Sequence, residues 1–94
     1  MTDTDKINAA LQSQTDWTYP WKFLENVLAF PGLGPFERNF TQSIWTEAFN
    51  DKYWRSTELA ECVQHIETGL AKKYPWLSAQ SCKNLARAAS YERR

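Results

Sequence analysis

Apolar residues recur every three or four positions along almost the whole chain, and this period limits the possible folds most strongly. In residues 35–50, for example, the apolar stripe runs through Phe36, Phe40 and Ile44. Such spacing places side chains on one face of an α-helix, whereas a half-buried β-strand alternates apolar and polar residues. No segment alternates in that way. The sequence therefore predicts an all-α fold, a compact irregular or orthogonal bundle of four to five short helices.

Proline, glycine and capping residues divide this pattern into segments. Helices are predicted over residues 3–14, 20–30 and 35–50, from a Ser56 or Thr57 cap to about Lys73, and from a Ser78 cap to residue 92. Pro20 and Pro35 stand at first helical positions, where a missing N–H costs nothing. Pro31-Gly32 is a turn signal.

A chain of 94 residues suits one domain, here residues 1–94. The first helix is short and weakly apolar, so residues 1–16 are expected to fray. The predicted core consists of the stripe residues Trp21, Leu24, Leu28, Phe36, Phe40, Ile44, Leu59, Val63, Ile66, Leu70 and Leu85.

The tripeptide Tyr-Pro-Trp occurs twice, at residues 19–21 and 74–76. The sequences that follow the two copies do not align, and a 55-residue period leaves no room for two complete units. We therefore interpret the copies as two aromatic corners between helices, in which Tyr and Trp flank a fixed proline φ angle, rather than as a repeated binding motif.

The residue types of metal and catalytic sites are sparse. Cys62 and Cys82 fall on apolar helix faces and are expected to be buried free thiols rather than a disulfide. Cys62 and His65 have ligand-like spacing, and Cys82 could be a third ligand. Structural zinc usually needs four ligands, so these three scattered candidates are too few. A catalytic thiol would need an exposed, activated position. The sequence predicts no metal site, no cofactor and no enzymatic activity.

Charge is unevenly distributed although the net charge is zero. Residues 1–68 carry five basic and ten acidic residues, whereas residues 69–94 carry six basic residues and one acidic residue. On the last helix, Lys83, Arg87 and Arg94 lie within a narrow arc beside the apolar stripe. This basic ridge is either a solvated or internally paired face, or a contact surface for an acidic partner or a phosphate backbone.

Aromatic residues make up 15% of the chain, more than a domain of this size easily buries. Some of Trp17, Tyr19, Trp45, Tyr53 and Trp54 are therefore expected to remain partly exposed, with Tyr53 and Trp54 in the break at residues 50–56. Exposed aromatics beside acids have the layout of a protein-binding site. The site predicted from the sequence comprises Trp45, Glu47, Asp51, Tyr53 and Trp54.

The sequence thus favours a small non-catalytic protein-binding module, such as an inhibitor, an immunity-type protein or an antitoxin-like factor, whose acidic residues suit a basic toxin or nuclease. The alternative is a nucleic-acid-binding protein that uses the basic last helix, although the zero net charge argues against it. The N-terminus lacks the pattern of a signal peptide and no apolar run is long enough to span a bilayer, so a cytoplasmic protein without membrane contact is expected.

Overall fold

The computed structural model describes residues 3–15 and 17–92, and this part of the chain contains five α-helices and no strand. They are α1 (Thr4–Gln12), α2 (Phe23–Leu28), α3 (Pro35–Ala48), α4 (Leu59–Lys73) and α5 (Ala79–Glu92). Short 3₁₀ turns at Pro20–Lys22 and Asp51–Tyr53 precede α2 and α4. The predicted all-α bundle is confirmed.

The helix ends follow the local sequence signals in most cases. The Asp3 side chain accepts a hydrogen bond from the Lys6 N–H at the start of α1, and Ser78 Oγ accepts one from the Ser81 N–H at the start of α5. Gly32 has a φ of 86°, which only glycine adopts readily, in the predicted turn after α2. The cap predicted at Ser56 or Thr57 is wrong, because α4 begins after Glu58.

Helix α5 lies at the centre of the bundle and contacts α1, α3, α4 and the first 3₁₀ turn. It is buried on several sides, at Ser81, Cys82, Asn84, Leu85, Ala86, Ala88, Ala89 and Ser90. Small side chains allow the neighbouring helices to approach this helix closely. Its buried polar residues Ser81, Asn84 and Ser90 form hydrogen bonds. Asn84, for example, donates a hydrogen bond from Nδ2 to the Leu11 carbonyl at 2.8 Å.

Helix α1 packs against this centre. Ile7, Ala10 and Leu11 have no exposed area. Asn8 accepts hydrogen bonds from the Ser78 N–H and from Ser81 Oγ, and donates one to the Trp76 carbonyl. These contacts connect the first helix to the start of the last one. Residues 1, 2 and 16 lie outside the described residues.

The core includes the predicted Ile44, Ile66, Leu70 and Leu85, but three predicted core residues are exposed. Trp21 is 62% exposed because it belongs to a 3₁₀ turn, so the helical register of α2 does not extend to it. Phe36 is 71% exposed because the inner face of α3 runs instead through Glu37, Thr41, Ile44 and Ala48. Leu59, at the first position of α4, is 37% exposed.

The other predicted core positions are partly buried: Leu24, Leu28, Phe40 and Val63. In α2 the fully inward residues are Phe23 and Val27, one position before the predicted Leu24 and Leu28. The buried apolar residues other than Cys62 nevertheless form one contiguous cluster. The radius of gyration is 12.5 Å, close to the value of about 12 Å expected for a compact chain of this length.

Candidate protein-binding surface

Two residues of the site predicted from the sequence are buried. Tyr53 is only 6% exposed and Glu47 only 8% exposed, so the expectation that Tyr53 forms part of an open aromatic patch is wrong. Tyr53 can be buried because Gly69 of α4, which faces it, has no side chain. A Cβ atom at that position would overlap the Tyr53 ring, so the glycine allows the ring to lie directly against the helix. A glycine inside a predicted helix was the available signal for this close approach.

Glu47 joins the end of α3 to the second 3₁₀ turn and to α4. Its carboxylate accepts a hydrogen bond from Tyr53 Oη at 2.7 Å, and it lies 3.3 Å from Lys52 Nζ and 3.1 Å from Lys73 Nζ. We call these four residues the Glu47 network. Burial raises the pKa of the Glu47 carboxyl, but the hydrogen bonds from Tyr53, Lys73 and Lys52 outweigh it, so the net pKa lies below its ordinary value.

The same contacts act on the partners of Glu47. Burial, and then the hydrogen bond to Glu47, raise the pKa of the Tyr53 phenol, and the hydrogen bond to Glu47 raises the pKa of Lys73. All three groups therefore keep their ordinary charge states at neutral pH. This arrangement suits a permanent structural ion pair better than proton transfer, which requires a group poised to change its charge.

Trp45 and Trp54 belong to a continuous series of aromatic contacts. Trp54 stacks on Phe49 at a centroid distance of 6.4 Å, Phe49 meets Trp45 edge-on at 5.0 Å, and Trp45 stacks on Phe23 at 5.8 Å. Trp54 also donates a hydrogen bond from Nε1 to the Ala48 carbonyl at 3.0 Å. Both tryptophans are half-buried and pack against other rings of the bundle, whereas Asp51 is exposed.

This series continues to the last helix. Phe23 stacks on Trp17 at 5.6 Å and Trp17 stacks on Tyr91 at 6.5 Å, so six rings connect the second 3₁₀ turn with the end of α5. We call this series the aromatic ladder, comprising Trp54, Phe49, Trp45, Phe23, Trp17 and Tyr91. It contains six of the eleven aromatic residues that the bundle buries fully or partly, out of fourteen in the chain.

The three exposed aromatic residues are Tyr19, Trp21 and Phe36. Tyr19 and Trp21 form a pair on either side of Pro20, with ring centroids 5.4 Å apart and planes at 76°. The Lys22 ammonium lies 5.6 Å from the centre of the Tyr19 ring. We call residues 19–21 the first corner. The rings support each other although Tyr19 is 55% and Trp21 62% exposed.

The second Tyr-Pro-Trp corner, residues 74–76, connects α4 to α5. Tyr74 and Trp76 also meet edge-on, at 6.1 Å and 63°. Here, however, both rings contact Phe40 of α3, at 5.8 and 5.6 Å, and both are partly buried. Both tripeptides are therefore aromatic corners, as the sequence predicts.

The predicted basic ridge is partly engaged within the bundle. The Arg87 guanidinium lies 4.3 Å from the centre of the Trp17 ring, a cation–π contact with one end of the aromatic ladder. Lys83 is exposed, and Arg94 lies outside the described residues. The structure therefore brings Arg87 to an aromatic partner rather than leaving it free beside Lys83.

The two cysteines are buried free thiols, as predicted. Burial, and then the charge of Glu67, raise the pKa of the Cys82 thiol, which opposes formation of a reactive thiolate. His65 is exposed, whereas Cys62 is buried. Within residues 3–15 and 17–92, no group of three or more His, Cys, Asp or Glu side chains is arranged to hold a metal ion.

No helix within the described ranges combines the length and the apolar character needed to cross a bilayer. No protein-family model matches this chain, and comparison with the curated proteins and with the solved structures also finds no match.

Proposed function

We propose that this protein is a small non-catalytic module that binds another protein through the first corner, in the manner of an inhibitor, an immunity-type protein or an antitoxin-like factor. The observation that supports it best is the exposure of Tyr19 and Trp21, in a chain that shelters nearly all its other aromatic rings. Trp and Tyr are the residue types most enriched among those that dominate binding energy at protein interfaces.

The geometry of the first corner also favours binding. Pro20 fixes the backbone between the two rings, and the edge-on contact restricts both side chains before any partner arrives. Aromatic side chains that are already held in place lose little conformational entropy on binding. The pair thus presents a rigid apolar projection suited to a pocket on a partner.

The partner that we propose is a basic protein, such as a toxin or a nuclease. Acidic residues outnumber basic ones by ten to five over residues 1–68, where the first corner lies. Glu25, in the first turn of α2, is exposed. Complementary charge of this kind accelerates association and excludes other acidic surfaces.

Mutation of the first corner tests the proposal. A partner identified by affinity capture would be purified, and its dissociation constant measured by calorimetry for the wild type and for Trp21→Ala. We expect Trp21→Ala to weaken binding by about 2 kcal/mol or more and to leave the melting temperature unchanged. The matched control is Phe36→Ala, which removes another exposed aromatic side chain from a different element and should bind normally.

Trp54→Ala separates this proposal from the site predicted by sequence alone. That substitution should lower the stability through the aromatic ladder and affect binding less than Trp21→Ala. Normal binding by Trp21→Ala would refute the proposed surface. Salt-sensitive binding of duplex DNA that depends on Lys83 and Arg87 would instead support the nucleic-acid alternative.

A further inference from the structure

Three lysines surround a recess between the second 3₁₀ turn and the end of α4. The recess has a volume of about 480 Å³ and is lined by Lys52, Tyr53, Gly69, Lys72 and Lys73. None of these residues belongs to the first corner. The chemistry of this recess is therefore independent of the function proposed above.

Two of the lysines are held in place by the Glu47 network. Lys52 and Lys73 each lie beside a different oxygen of the Glu47 carboxylate, and each ammonium lies over a tyrosine ring, Lys52 over Tyr53 and Lys73 over Tyr74. Their side chains are still 54% and 52% exposed. An ammonium group has three donors, so both lysines retain donors for a further acceptor.

The charges at the recess do not cancel. Three ammonium groups meet one buried carboxylate, that of Glu47, which leaves an excess of two positive charges. The carboxyl-terminal end of α4 offsets about half of one charge. Asp51 lines a neighbouring groove along α3 that shares Lys73 with this recess, and it does not line the recess itself. The recess therefore carries an excess of positive charge in a protein of zero net charge.

We propose that this recess, the lysine pocket, binds a phosphoryl group, either of inorganic phosphate or of a phosphate monoester. A phosphate monoester carries nearly two negative charges at neutral pH, which matches the excess charge of the pocket better than a single carboxylate does. Its three terminal oxygens can each accept a charge-assisted hydrogen bond from an ammonium group.

Titration with inorganic phosphate, followed in ¹H–¹⁵N correlation spectra at about pH 7.5, tests this proposal. We expect saturable shifts concentrated at the amides of Gly69, Lys72 and Lys73. Sodium chloride at matched ionic strength serves as the control for screening. Shifts of equal size and distribution with chloride would overturn the proposal.

Substitution of Lys72 locates the site. Lys72→Gln removes one positive charge without touching the Glu47 network, and should weaken phosphate binding about fivefold, the scale of one exposed ion pair. Lys83→Gln removes the same charge from an exposed position on α5 and should leave binding unchanged. Equal affinity of Lys72→Gln and the wild type would also overturn the proposal.

Comparison of ligands identifies the natural source of the phosphoryl group. O-phosphoserine and O-phosphotyrosine would be titrated alongside inorganic phosphate under the same conditions. Tighter binding of either amino acid indicates a phosphorylated side chain of a partner, whereas equal affinities indicate free phosphate. Either result supports the pocket as a phosphoryl site.

Discussion

The two Tyr-Pro-Trp corners have the same sequence and nearly the same internal geometry, yet the rings of the first are exposed and those of the second are partly buried. In both, the tyrosine and tryptophan rings meet edge-on across the proline. The first corner projects from the bundle, whereas the second is covered by Phe40 of α3. A local motif can thus determine its own shape without determining its role, because burial depends on what packs against it.

A further contrast concerns the lysine beside each corner. Lys22 lies over the ring of exposed Tyr19, and Lys73 lies over the ring of Tyr74. Lys73, however, also reaches the buried carboxylate of Glu47, which connects the second corner to the Glu47 network. The second corner is therefore a junction of α3, α4 and α5, and the first is an accessible projection.

Truncation of the tryptophans should separate the two corners most strongly. Trp76→Ala removes a partly buried ring from Phe40 and Tyr74, and we expect it to lower the free energy of unfolding by about 2–4 kcal/mol. Trp21→Ala should change it by less than about 0.5 kcal/mol. Urea denaturation measures both. Similar losses at the two positions would show that the contrast in burial has no energetic consequence.

The next largest effect is expected at Gly69, which allows Tyr53 to lie against α4. Alanine normally favours a helix over glycine by about 1 kcal/mol. Here Gly69→Ala should instead destabilise the protein by about 1–3 kcal/mol, because the Tyr53 ring must move and its hydrogen bond to Glu47 must lengthen. Thermal unfolding of Gly69→Ala tests this, and a stabilised variant would contradict it.

Acid should lower the free energy of unfolding through Glu47, which is linked to the second corner by Lys73. The pKa of Glu47 is lower in the folded protein than its ordinary value of 4.5. Glu47 therefore contributes stability above that ordinary value, and the contribution is lost as pH falls through the lower folded value.

Glu47→Gln should cost about 1–2 kcal/mol at neutral pH and should flatten the loss of stability in acid. Denaturation between about pH 7 and pH 3 measures both effects. Lys22→Gln, at the first corner, is the matched control and should retain the acid sensitivity of the wild type. An unchanged acid profile in Glu47→Gln would mean that other carboxylates dominate.

The smallest effect should be the same at both corners. Pro20→Ala and Pro75→Ala each release a fixed φ angle, chiefly in the unfolded chain, and each should cost about 0.4–1 kcal/mol. Equal losses in chemical denaturation would show that the corners are locally equivalent. A much larger loss for Pro75→Ala would mean that this proline has a tertiary role that the ring contacts do not reveal.

The helical elements were predictable because their signals are local. The apolar period, the prolines at the starts of the 3₁₀ turn and α3, and the Ser78 cap each act within a few residues of chain. The candidate site was much less predictable. Tyr53 was expected to be exposed because it lies in a break between helices, but its burial depends on Gly69, sixteen positions further along the chain.

The all-α class, the order of the helices and the shape of the two aromatic corners can be read from the sequence, since they follow from backbone preferences and side-chain spacing. Tertiary packing sets which corner is covered and which helix is central. Helix α5 has few large apolar residues, so its sequence resembles a surface helix, yet its alanines and serines permit close approach from several sides. Burial depends on the neighbours that surround a side chain, and those neighbours are distant in sequence.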